Sequence, residues 1–202
     1  MCIRDRYWID RKSGGYQYTS KILTRINGVE TVTEYNKNGL PTSIVRGEEQ
    51  TKFEYDQSEL LLVKKESSSG ELVKLEYHPV HKKISKVTNN QGTTTFDYDA
   101  KGNLAFADKG EEDQMELRYN WKNQITEMIV TDRYHLTFKY NALGKPTEIS
   151  LKGEGSINVE YDRYGEIKNV ESEAGHEMSL KVTQAFQTLL AKVKPAGVNL
   201  SL

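Results

Sequence analysis

The chain has 202 residues, 36% of them hydrophobic and 28% charged, with 28 basic against 29 acidic side chains and a net charge of −1. That balance offers no bulk attraction for nucleic acid or an anionic membrane, and no apolar run is long enough to span a bilayer. A single cysteine, Cys2, excludes a disulfide scaffold and a thiolate metal site.

The opening Met1-Cys2-Ile3-Arg4-Asp5-Arg6 reads as a translated transposase-end sequencing adapter. Residues 1–6 are therefore expected to be an artefact on a metagenomic fragment, and the lack of a signal peptide there carries no weight. Tyr7-Trp8-Ile9-Asp10 reads as the tail of one structural unit. Tyr16, Tyr18 and Ile26-Asn27-Gly28 read as a degraded copy of another.

A regular pattern then begins. Tyr35, Tyr55, Tyr77, Tyr98, Tyr119, Tyr140 and Tyr161 follow one another at intervals of 20, 22, 21, 21, 21 and 21 residues. A period of that length marks one small supersecondary unit copied many times, which buries its apolar face only by stacking on its neighbours.

The residues after these tyrosines are Asn36, Asp56, His78, Asp99, Asn120, Asn141 and Asp162. Four positions after each tyrosine stand Gly39, Glu59, His81, Gly102, Asn123, Gly144 and Gly165. Asx at the first turn position and Gly or Asn at the fourth predict a type I turn closed by a residue in the left-handed region, with a G1 bulge. Before the tyrosines, apolar and polar residues alternate with period two, as in Met115, Leu117 and Tyr119 against Glu116 and Arg118. Each tyrosine is thus expected to end a strand, with its ring in the core and its hydroxyl at a partner or the rim.

The return strand carries apolar residues six and nine positions after the tyrosine: Leu104 with Ala107, Ile125 with Met128, Pro146 with Ile149, Ile167 with Val170. A separation of three breaks strict alternation and predicts a bulge or bend. Polar stretches such as Lys152-Gly153-Glu154-Gly155 lead to the next unit. Each unit reads as strand, tight turn, strand, looser turn.

Past Val170, Met178, Leu180 and Val182 alternate as a last strand would, and Phe186, Leu189, Leu190 and Val193 then fall at helical spacing. Residues 183–194 are expected to form an amphipathic helix, stopped by Pro195 and Gly197, that caps an open sheet edge. The expected organisation is an artefact at 1–6, hairpin repeats at 7–182 and a capping helix with tail at 183–202. The fold class is all-β, a repetitive antiparallel hairpin sheet with a short C-terminal capping helix.

Chemistry-bearing candidates are few. The acidic clusters Glu111-Glu112-Asp113 and Glu171 with Glu173 have no EF-hand or glycosidase companions and read as solvated turns. His78 and His81 sit in a variant turn, and neither they, His135 nor His176 have evident partner ligands. Trp8 and Trp121 read as packing or rim aromatics, with a sugar-stacking platform as the other reading. Ser67-Ser68-Ser69-Gly70 is a polar hairpin loop rather than a nucleophile elbow, and no phosphate-binding loop occurs. No catalytic, cofactor or metal residues are expected.

Phe96-Asp97-Tyr98-Asp99-Ala100-Lys101-Gly102-Asn103-Leu104 and Val159-Glu160-Tyr161-Asp162-Arg163-Tyr164-Gly165 resemble YD repeats, also called RHS repeats. The resemblance covers about residues 16–172. It implies antiparallel sheets that spiral into hollow shells, as in bacterial RHS proteins, insecticidal toxin complexes and teneurins. The expected role is a non-catalytic wall segment of a secreted or cell-surface shell, partnered by the rest of that shell. An adhesin-like module for glycan or protein ligands is the alternative. Toxin-bearing relatives carry an Asp-Pro element after the repeats; this sequence contains none, so no cleavage site or toxin is carried over. The structural repeat residues are the seven tyrosines with Gly39, Gly102, Gly144 and Gly165.

Overall fold

The computed structural model describes residues 4–13, 16–110, 114–131, 133–172, 179–185 and 187. Among these, sixteen strands and one short helix form. Two compact units divide the chain, one of residues 1–77 and 86–93, the other of residues 78–85 and 94–202.

The first unit holds β1 (Arg4–Ser13), β2 (Tyr16–Ile26), β3 (Val29–Tyr35), β4 (Pro41–Arg46), β5 (Glu49–Tyr55), β6 (Leu62–Ser67) and β7 (Leu72–Tyr77). Each pairs antiparallel with the next in chain order. Strand β8 (Ile84–Asn89) contributes its last four residues to this unit and its first two to the other. Short-range pairing of this kind is what a local hairpin sequence dictates, since each tight turn returns the chain beside the strand it just left.

The second unit holds β9 (Gly92–Tyr98) from Thr94 onward, β10 (Leu104–Asp108), β11 (Gln114–Tyr119), β12 (Ile125–Val130), β13 (Tyr134–Tyr140), β14 (Pro146–Leu151), β15 (Gly155–Tyr161) and β16 (Ile167–Ser172). These too pair antiparallel in chain order. Period two puts one set of side chains inward. Leu117 faces Met128, Met128 faces Leu136, and Leu136 faces Leu151, forming one apolar row across four strands. All four are buried. A second row runs Phe96, Ala107, Met115, Val130, also buried. Full burial of such aliphatic side chains stabilises by about 1.5–3 kcal/mol each.

The opposite face carries charge pairs between register partners. Lys64 meets Glu54, Arg118 meets Glu127, and Lys139 meets Glu148. Being exposed, each contributes about 0–1 kcal/mol.

One expectation needs correction. Leu180 and Val182 do not lie on a last strand: residues 179–185 are helical, so the helix (α1) begins earlier than residue 183. The side chains at 180 and 182 fit a helix as well as a strand over so short a run; Val182 and Ala185, three apart, are the ones buried, whereas Leu180 is exposed. Lys181 pairs with Glu154 at 2.6 Å, and Tyr134 reaches Gln184 at 3.4 Å. These partners lie at the β14–β15 turn and the start of β13. On the last strand, β16, Ile167 is 64% and Val170 54% exposed. Phe186, Leu189, Leu190, Val193, Glu111, Glu112, Asp113, Glu173, His176 and Met178 lie outside the described residues.

Candidate functional site

The seven tyrosines all end strands: β3, β5, β7, β9, β11, β13 and β15. After five of them comes a tight turn with a common hydrogen-bond pattern, and after Tyr55 and Tyr77 one closed a residue later. In the Asn141 turn, the Asn141 N–H donates to the Lys145 carbonyl at 2.9 Å, and the Gly144 N–H donates to the Asn141 carbonyl at 3.0 Å. The Asn141 Oδ1 accepts from the N–H groups of Leu143 and Lys145. Asn36, Asp99, Asn120 and Asp162 make the same set at their own turns. A side-chain oxygen two atoms from Cβ is what reaches back over its own turn, which is why Asx recurs there.

Gly39, Gly102, Gly144 and Gly165 have φ of 76–83°, the left-handed region closed to most side chains. Asn123 and Glu59 adopt it too, at φ 62° and 58°. In the Tyr77 unit the left-handed residue is Lys82 at φ 54°, one position beyond the expected His81. The turn there is one residue longer, with the His78 N–H donating to the Lys83 carbonyl. His78 takes the Asx role through its ring: Nδ1 accepts from the N–H groups of Val80 and His81 at 3.3 and 3.2 Å. The two imidazoles stack with centroids 4.8 Å apart. They serve turn geometry, and among the described residues no cluster of three His, Cys, Asp or Glu could hold an ion.

The bulge expected between positions six and nine falls on the second residue of the return strand. Lys139 opposes Glu148 while Tyr140 opposes Pro146, leaving Thr147 extra. Thr42, Val63, Ala105, Thr126 and Lys168 are skipped in the same way. On its other side the return strand joins the next strand only beyond the bulge: β14 meets β15 from Glu148 onward, and β12 meets β13 from Glu127 onward. The carbonyl of the first return-strand residue is thus left outside that ladder.

The next tyrosine supplies the donor. Tyr161 Oη donates to the Pro146 carbonyl at 2.8 Å, Tyr140 to Ile125 at 2.7 Å, and Tyr119 to Leu104 at 2.8 Å. Tyr98 donates to Ile84, Tyr77 to Leu62 and Tyr55 to Pro41, each at 2.7 Å. The phenol therefore completes the sheet where the bulge has opened it. Burial pushes the Tyr119 hydroxyl up to about 12, with Asp99 adding to the shift, and burial raises Tyr55, Tyr77, Tyr98 and Tyr140 as well.

A second set of bonds joins the turns to one another. Gln124 Nε2 donates to the Gly144 carbonyl at 2.9 Å, and Lys83 Nζ to the Gly102 carbonyl at 2.6 Å. Lys145 Nζ donates to the Gly165 carbonyl and stands 5.3 Å from the Tyr161 ring centre. Asn36 and Asn38 both reach the Glu59 carbonyl in the first unit. A polar side chain on one turn so clasps the left-handed residue of the next. This position was missed in the sequence; its signal is Gln124 and Lys145, long polar donors five residues after their tyrosines.

Asp99 shows the electrostatics of these turns. Burial works against its charge, but the side-chain and backbone hydrogen bonds of Asn103 and the N–H of Lys101 hold its carboxyl below the usual carboxylate range. Asp56 is lowered by the Leu61 N–H and by Ser58.

Fold and edge together define a repeat-built antiparallel β protein whose hairpins are stitched, side chain to backbone, along the tight-turn edge. The chain matches the Teneurin YD-shell family over residues 17–199, and it belongs to that family. No curated relative matches the sequence. Among solved structures it is similar to TcdB2-TccC3-TEV, at 12% identity and TM-score 0.58, over 74% of this chain and 9% of that one. It is also similar to TcdB2-TccC3 (12% identity, TM-score 0.56, 82% of this chain and 12% of that one). TcdB2-TccC3-Cdc42 gives 12% identity and TM-score 0.55 over the same shares. At that identity the likeness shows the fold alone, and the chain spans only 9% to 12% of those chains.

Proposed function

We propose that this chain is a wall segment of a secreted or cell-surface YD shell, with a mechanical role and no catalysis of its own. The remainder of the same shell is its partner. The observation that carries this reading is the use to which the repeated polar side chains are put. Six tyrosine hydroxyls and the Asx groups of the turns are spent on the backbone of their own or the adjoining hairpin. Groups so committed hold a sheet together and leave little to bind or activate a substrate. Membership of the Teneurin YD-shell family supports the same reading.

The test is electron cryomicroscopy of the whole polypeptide that carries this segment, together with fractionation of the cells that make it. Residues 17–199 are expected in the wall of a closed compartment recovered outside the cytoplasm. A sheet standing free of any enclosure, or a cytoplasmic product, would overturn the proposal.

A further inference from the structure

The tips of the tight turns differ between the two units. In the first they are mostly polar, Lys37-Asn38 and Gln57-Ser58, with Leu60 at 59% the exposed apolar side chain there. In the second, Val80 is 75%, Trp121 80%, Leu143 76% and Tyr164 73% exposed. The turns fold alike in both units, so the fold does not require apolar tips. Trp121, Leu143 and Tyr164 stand on the consecutive hairpins β11–β12, β13–β14 and β15–β16. Exposed apolar side chains scattered singly mean little, but a row along one edge marks a contact surface. Trp, Tyr and Arg are also the residue types that anchor protein interfaces.

Charge narrows the partner. The five tight turns of the second unit carry Lys82, Lys83, Lys101, Lys122, Lys145 and Arg163. Against these stand Asp99, Asp162 and Glu166, so six minus three leaves three positive charges on an edge of a chain whose net charge is −1. Lys122 lies 5.1 Å from the Trp121 ring centre and Arg163 4.6 Å from that of Tyr164, each beside an exposed ring. The edge therefore suits an acidic partner.

Spacing narrows it further. Neighbouring strands lie about 4.8 Å apart, so successive hairpin tips recur about every 9.6 Å. A polyproline II helix rises about 3.1 Å per residue with three residues per turn, so it repeats one face about every 9.3 Å. A β-strand partner alternates its side chains every second residue and cannot keep that step.

We propose that the Trp121–Leu143–Tyr164 edge docks an acidic, proline-rich extended segment of a protein, with an apolar or prolyl residue at every third position. This goes beyond the wall reading and does not depend on it. Trp121 is the reporter, because Trp8 is the only other tryptophan. In a Trp8→Phe background, the probe is a synthetic peptide repeating Leu-Pro-Glu. A saturable blue shift of Trp121 emission is expected, weakening as salt is raised. Leu143→Ser combined with Tyr164→Ser should weaken binding about tenfold or more, with the circular dichroism spectrum unchanged, because both side chains are exposed. The proposal is overturned by the absence of any shift. It is equally overturned if a scrambled peptide, a Leu-Pro-Lys repeat, or an anionic oligosaccharide binds as well.

Discussion

Tyr119→Phe removes one oxygen and tests why tyrosine recurs. Tyr119 Oη lies 2.8 Å from the Leu104 carbonyl, and Leu104 is 3% exposed. Backbone pairing between β10 and β11 begins at Phe106 and Glu116, so no ladder donor stands ready to replace the phenol. The ring remains, and packing is unchanged. What is lost is a donor to a buried carbonyl, which costs about 1–3 kcal/mol. Tyr161→Phe removes the same bond to Pro146 where both groups are reached by water, and should cost under about 1 kcal/mol. Repeat proteins need not unfold in one step, so urea titration is best paired with amide exchange resolved along the chain. Tyr119→Phe is expected to lower the urea midpoint and to speed exchange most around β10–β12. Equal midpoints for Tyr119→Phe, Tyr161→Phe and the parent would refute the reasoning, because the hydroxyl would then be dispensable to the sheet.

Gly144→Ala and Gly39→Ala separate backbone strain from the clasp. Both place a side chain at positive φ, a cost of about 1–2 kcal/mol, but only at Gly144 does the new Cβ meet Gln124 Nε2, at 3.0 Å. Thermal melting should show the larger loss for Gly144→Ala; equal shifts would count against the clasp. His78→Asn should keep stability within about 0.5 kcal/mol while His78→Leu loses about 0.5–1.5 kcal/mol, as read from urea midpoints, because Asn retains an acceptor for the two turn N–H groups. Matching losses would show that the ring's packing, not its Nδ1, matters. The raised phenols predict base sensitivity. Their contribution is fully present below pH 10, where unfolded tyrosine titrates, and is lost as pH rises through about 12, where folded Tyr119 does. Melting temperature followed by circular dichroism should fall steadily over that interval; a flat profile would contradict the burial of the hydroxyls.

Much of this was legible because it is local. The Asx residue and the glycine four positions after tyrosine each act within one turn, and a four-residue window is enough to read them. The bulge was legible as well, through Leu104 and Ala107 both falling inward despite odd spacing. Lys82 shows the limit: an added residue before the left-handed position shifts it by one, and Lys gives no hint of the conformation it is held in. The phenol's acceptor was not legible, since it lies fourteen or fifteen residues earlier and depends on the register between hairpins. The forward reach of Gln124 and Lys145 is hidden for the same reason, their side chains being ordinary polar ones until the next turn arrives. The start of α1 was misread because Met178, Leu180 and Val182 satisfy period two over a run too short to distinguish from a helical face.

The two sets of stitches run in opposite directions: each phenol reaches back to the hairpin before it, and each clasp reaches on to the one after. Between the hairpins β11–β12, β13–β14 and β15–β16 each seam is therefore closed from both banks, and a hairpin there cannot be shortened without leaving a loose end on each neighbour. Excising the stretch from one tyrosine to the residue before the next restores both closures, because the new neighbours carry the same groups. Such a protein grows and shrinks during evolution in whole hairpins, a ruler marked in steps of about twenty-one residues.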